Sequence, residues 1–136
     1  MVGYLAGALA GRVAVLLCAV AIALPYALRR GRFNRGVEKS RKAPYLRRLW
    51  PHFWAGYLIL ALTVLHVGAA MGAMQRASST GIKAATAAFF LLILEIVLGL
   101  TLKEERLVER RGLRRIHFWV MVSLVGTLGM HLWFNG

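Results

Sequence analysis

At 136 residues the chain has the length of one domain, yet 59% of it is hydrophobic, above the roughly 45–50% of soluble domains. Its net charge of +13 does not point to nucleic acid, because fifteen of the eighteen Lys and Arg fall in two segments, Arg29–Arg48 and Lys103–Arg115, each flanking apolar blocks. That is the positive-inside pattern of a membrane protein, not the basic face of a soluble module, and it excludes a nucleic-acid partner.

Four apolar blocks of about twenty residues each suffice to cross a hydrocarbon core about 30 Å thick. They predict helices over residues 2–28, 52–74, 83–102 and 116–134. The expected fold is an all-α integral membrane protein, a four-helix transmembrane bundle in a single domain. In the first block Gly3, Gly7 and Gly11 recur at four-residue spacing with Ala6, Ala10 and Ala14 beside them. Such a stripe suits either ordinary close helix packing or a groove for the face of a flat ligand. Arg12 lies inside this block, where a guanidinium either snorkels to the headgroups or finds an anion. Pro25 is placed to kink or end the helix. Positive charge follows the block and does not precede it, which predicts a retained first helix with its N-terminus outside, and no cleaved signal peptide.

Arg29 to Trp50 is expected on the cytoplasmic side, with a short interfacial helix over Tyr45–Trp50. The second helix opens at Pro51, a residue suited to a first turn, with Trp50 and Trp54 at the level of the membrane interface. The short connection Gln75–Gly81 predicts that helices two and three are antiparallel neighbours. Glu95 is the one acid within an apolar block, which makes it either a hydrogen-bonded structural carboxyl or a proton-handling group. Lys103–Arg115 reads as a solvated cytoplasmic loop. Four crossings place both termini outside, on the periplasmic side of a bacterial-type inner membrane.

The histidines are arranged more tightly than anything else in the chain. There are four, His52 and His66 in the second block and His117 and His131 in the fourth, each pair fourteen residues apart. Fourteen helical steps leave a mismatch of about 40°, since each heptad drifts by about 20°. They span roughly 21 Å of rise. Each block therefore carries two imidazoles on nearly one stripe. Because both helices run from inside to outside, His52 and His117 share an inner level, and His66 and His131 an outer one. Two levels of two imidazoles would supply the axial ligands of two six-coordinate haems, which transfer electrons without an open position for O₂. The one cysteine, Cys18, allows neither an internal disulfide nor Cys-x-x-Cys-His attachment, so haem would be held non-covalently. Zinc would want about four converging ligands, often with Cys or carboxylate help, and copper on two histidines leaves the small-residue faces unexplained. Arg47 and Arg48 before His52, Arg114 and Arg115 before His117, and Arg12 in the first block are candidate partners for haem propionates. Thr63 and Thr127 are candidates to accept the second N–H of a ligating ring.

Paired His-x13-His segments, His52/His66 and His117/His131, resemble the di-haem cytochrome b core of quinol–cytochrome c oxidoreductases, and the membrane domain of ferric reductases and NADPH oxidases. The resemblance covers the four helices and implies two b haems. It does not carry over the full activities, because the Pro-Glu-Trp-Tyr segment of the quinol site is absent. The expected function is transmembrane electron transfer, as the membrane cytochrome subunit of a larger oxidoreductase whose other subunits are its partners. Two alternatives stand beside it. One is a cytochrome that oxidises quinol, reduces quinone or reduces ferric iron at one haem edge. The other is a non-redox membrane anchor or assembly protein with structural histidines.

Overall fold

A computed structural model describes residues 2–33, 49–71, 77–103 and 110–135. All four expected helices are present: α1 (Val2–Phe33), α2 (Trp50–Ala70), α3 (Ser79–Lys103) and α4 (Arg110–Asn135). Each is long and apolar enough to cross a membrane. The protein is an all-α, multi-pass membrane protein, and its four helices are consistent with a four-helix bundle.

The chain divides into two compact units, Met1–Val67 and Gly68–Gly136. The first holds α1 and nearly all of α2; the second holds α3 and α4. Both are antiparallel hairpins, because contacts that step forward along one helix step back along its partner. His66 meets Gly7 and His52 meets Ala21 in the first; His131 meets Gly81 and His117 meets Glu95 in the second.

Several helix ends differ from the sequence-based limits. α1 continues through Pro25 to Phe33, and α4 begins at Arg110, so that Arg114 and Arg115 lie on the helix and not in a solvated loop. Hydropathy marks where the bilayer ends, whereas Leu and Arg are good helix formers that carry the helix beyond it. Four cations in the first turns of α4 oppose the helix dipole, by about 0.3–1 kcal/mol each, so their place there owes nothing to helix stability. Arg47, Arg48 and the Tyr45–Arg48 part of the expected interfacial helix lie outside the described residues.

Two ends are built by local hydrogen bonding. Pro51 sits in the first turn of α2, where its missing amide goes unused, and the amides of His52 and Phe53 bond to Leu49 O at 3.0 and 3.3 Å. Ser78 caps α3: its Oγ accepts the Gly81 amide at 2.9 Å. The Ser78 amide and hydroxyl donate to Asn135 Oδ1 at 3.1 and 3.3 Å, so the last residue of α4 is tied to the first turn of α3.

The cores are thin and made mostly of small side chains. Among the described residues the buried apolar set is Ala14, Ala21 and Ile59 in the first hairpin and Ala84, Ala88 and Leu92 in the second. Large apolar residues such as Leu16, Leu65, Phe90 and Trp133 are exposed, as a lipid-facing surface requires. In the first hairpin the register is heptad-like. Gly7, Ala14 and Ala21 on α1 stand level with His66, Ile59 and His52 on α2. Seven-residue steps keep one seam facing its partner over the length of the pair.

Candidate functional site

Three of the four histidines share one way of being held, and all four approach the partner helix in the same manner. Each turns its Nδ1 toward the antiparallel partner helix within its own hairpin. His52 Nδ1 lies 2.9 Å from Ala21 O, His66 Nδ1 2.9 Å from Gly7 O, and His131 Nδ1 3.1 Å from Gly81 O. A carbonyl oxygen can only accept, so in these three rings Nδ1 carries the proton and Nε2 carries the lone pair. Asn135 Nδ2 approaches His131 Nδ1 at 3.3 Å, but with the carbonyl nearer and Nδ1 protonated this is a close approach of two donors.

His117 is the exception. Its Nδ1 lies 3.1 Å from Glu95 Oε1, at an angle that falls short of a hydrogen bond, so the contact is an electrostatic approach of ring and carboxyl group.

At two of these acceptors the residue one turn further on makes the approach of the ring possible. In a helix, the side chain at i+4 leans back over the carbonyl of residue i. The i+4 positions of Gly7, Ala21, Gly81 and Glu95 are Gly11, Pro25, Ala85 and Gly99. Gly11 has a specific spatial reason: a Cβ there would sit 2.8 Å from His66 Nδ1 and 3.0 Å from Cε1. Pro25 acts differently. It lacks the amide that would otherwise bond Ala21 O, so that carbonyl has lost its helical donor, and His52 Nδ1 supplies one. The proline neither ends nor stands apart from the site; it exposes the acceptor that orients His52.

Some sequence-based roles change. Thr63 Oγ1 donates to Ile59 O at 2.8 Å, and Thr127 Oγ1 to Ser123 O and Leu124 O at 3.0 Å each. Both hydroxyls donate back to their own helix, a common habit of Thr in apolar helices, while Nδ1 of His66 and of His131 meets a carbonyl of the partner helix. The groove at Gly7 and Gly11 receives the His66 ring, which is close packing and not a face left for a flat ligand. Arg12, Arg114 and Arg115 are exposed on their helices.

The donor set can be tested against the groups proposed for it. Haem b asks of each ligand a neutral imidazole with a fixed tautomer, its second nitrogen donating to a carbonyl or carboxylate. Three rings meet that condition through backbone carbonyls, and the fourth faces a carboxyl group. Among the described residues no three His, Cys, Asp or Glu side chains form a metal-binding group.

Fold and site together define a multi-pass helical membrane protein whose histidines are held in repeated pairs. No family model, curated protein or solved structure matches the chain.

Proposed function

We propose that this protein is a di-haem b membrane cytochrome that carries electrons between the two faces of a bacterial-type inner membrane. His52 and His117 would hold the haem at the cytoplasmic level, and His66 and His131 the haem at the outer level, one ligand coming from each hairpin. The observation that carries this reading is the repetition: the histidines stand at fourteen-residue steps twice over, three of them bonded through Nδ1 to a carbonyl of the partner helix and the fourth with Nδ1 beside a carboxyl group. Isolated structural histidines have no reason to repeat both a spacing and an approach to the partner helix.

Haem supplies reversible one-electron exchange at iron, and two axial imidazoles leave it no position for substrate. The protein's part is to orient the rings and to place counter-charge. Exposed Arg114 and Arg115, on the first turns of α4, would pair with propionates at the inner level. Arg12 would do so at the outer level, next to the glycine that seats His66. Arg47 and Arg48 would join them from the segment before α2. In this reading the remaining subunits of an oxidoreductase, or a quinone, deliver and remove the electrons, and both chain termini lie on the outer side.

The test is the spectrum of the purified protein. Two haem b per chain by pyridine haemochrome, with a reduced α-band, is the expected result; a colourless protein after expression with ample haem would overturn the proposal. Thr63→Val and Thr127→Val should both retain the full haem complement, because those hydroxyls donate to their own helices and the ring Nδ1 atoms meet backbone carbonyls of the partner helix. A haem deficit in either variant, measured by the same assay, would contradict the assignment of ring orientation to the partner helix.

A further inference from the structure

The arginines at the start of α4 are not spread evenly around the helix. At about 100° per residue, Arg111 and Arg115 point roughly 120° and 160° away from His117, the residue that faces α3. Phe118, Trp119 and Val122 continue that side of the helix toward its middle, and all five side chains are exposed. Arg111 and Arg115 stand one turn apart, a spacing that puts Cβ atoms about 5–6 Å from each other. One face of α4 is thus a pair of guanidinium groups followed by an aromatic and aliphatic stripe.

Helix length sets the depth of the pair. α4 has 26 residues and is about 39 Å long, against a hydrocarbon core of about 30 Å. The roughly twenty residues that cross the core, counted back from Asn135, end at Ile116. Arg111 and Arg115 therefore stand in the headgroup layer, and Phe118, Trp119 and Val122 lie below it among acyl chains, with Trp119 near the boundary that suits its ring. No side chain of α4 neutralises the pair. The helix contains no Asp or Glu, and no residue three or four positions from either arginine is acidic. Like charges one turn apart repel, and cations at a helix N-terminus oppose its dipole. The anion that the headgroup layer itself supplies is lipid phosphate.

We propose that this exposed face of α4 binds an anionic phospholipid. Arg111 and Arg115 share its phosphate through charge-assisted hydrogen bonds, and an acyl chain lies along Phe118, Trp119 and Val122. A zwitterionic lipid brings its own cation beside the phosphate, which the guanidinium pair repels; a phosphatidylglycerol headgroup brings none. The site does not depend on the di-haem reading. Where that reading holds as well, Arg114, about 60° from His117, is the better placed of the two α4 arginines named there for a propionate.

The experiment is native mass spectrometry of the full chain released from nanodiscs of equimolar phosphatidylcholine and phosphatidylglycerol. The lipid retained by the wild type should be enriched in phosphatidylglycerol. Arg111→Gln and Arg115→Gln should each lower that enrichment about fivefold, the usual effect of one basic side chain at an anionic surface. Lys83→Gln removes the same charge from an exposed position near the opposite end of the hairpin, and should leave most of the enrichment in place. Retained lipid with no preference for phosphatidylglycerol would overturn the proposal, as would a preference that survives both arginine changes together. An equal loss in Lys83→Gln would reduce the effect to net charge and overturn it too. Should the arginine variants fail to insert, the wild type still decides. Brominated phosphatidylglycerol should quench the fluorescence that Trp119→Phe removes more strongly than brominated phosphatidylcholine does, in mixtures of the same proportions. Equal quenching counts against the site.

Discussion

Replacing His66 by Ala should reduce the haem content from two per chain to one and remove the spectral component of the outer level alone. The protein should survive the change. What His66 gives the fold is one interhelical hydrogen bond to Gly7 O at 2.9 Å, and such bonds in membranes are worth on average about 0.6 kcal/mol. On the di-haem reading His66 is an axial ligand, whose loss is a far larger effect on haem retention, so haem and fold should separate cleanly. His131→Ala should give the same spectrum as His66→Ala, since the two are assigned to one haem. His52→Ala or His117→Ala should remove the other component. Haemochrome analysis together with thermal unfolding of the purified variants distinguishes these outcomes. Two haems surviving either outer substitution would show the pairing of levels to be wrong.

Gly11→Ala should weaken haem binding at that same outer level by about 10–100-fold, the usual cost of disturbing a ligand's supporting contact. Helix propensity alone predicts the opposite sign of benefit, because Ala is favoured over Gly in a helix by about 1 kcal/mol. The added methyl, however, would lie 2.8 Å from Nδ1 of His66, closer than side-chain carbons approach such atoms. The ring must move, and its bond to Gly7 O moves with it. Gly56→Ala is the matched control, with nothing within 4 Å of the new Cβ, and Gly99→Ala a second, with ordinary contact at 3.8 Å. Titration of haem into the four apoproteins should single out Gly11→Ala. Equal affinity in all four would mean that the His66 ring is not seated against Gly11.

Much of the fold was legible because a bilayer imposes a length and a composition that any apolar run reveals. The described helices fall where the four blocks predict them. Their ends do not, since Arg110–Arg115 and Arg29–Phe33 are helical beyond the apolar limit, and charge is no obstacle to a helix in water or at headgroups. The histidines were legible as a spacing, but their anchors were not. A backbone carbonyl carries no side-chain signature, so Ala21, Gly7 and Gly81 could be found only indirectly. A signal did exist: a proline, glycine or alanine stands four residues after each acceptor. Glu95 stood out as a lone intramembrane acid, while its partner did not. The clue was that Gly81 and Glu95 repeat the fourteen-residue interval of His117 and His131 on the facing helix.

The bonds at His52, His66 and His131 have a consequence for the order of assembly. Each ring is immobilised by its own hairpin, with no cofactor needed to hold it. The ordering cost, about 0.5–1.5 kcal/mol for each immobilised side chain, is thus incurred when the helices pair and not when a prosthetic group arrives. On the di-haem reading, folding would not have to wait for the cofactor, in contrast to small metal-templated domains that are unfolded until loaded. On the same reading, three of the four ligand rings would already be oriented, each within its own hairpin, before any haem arrives.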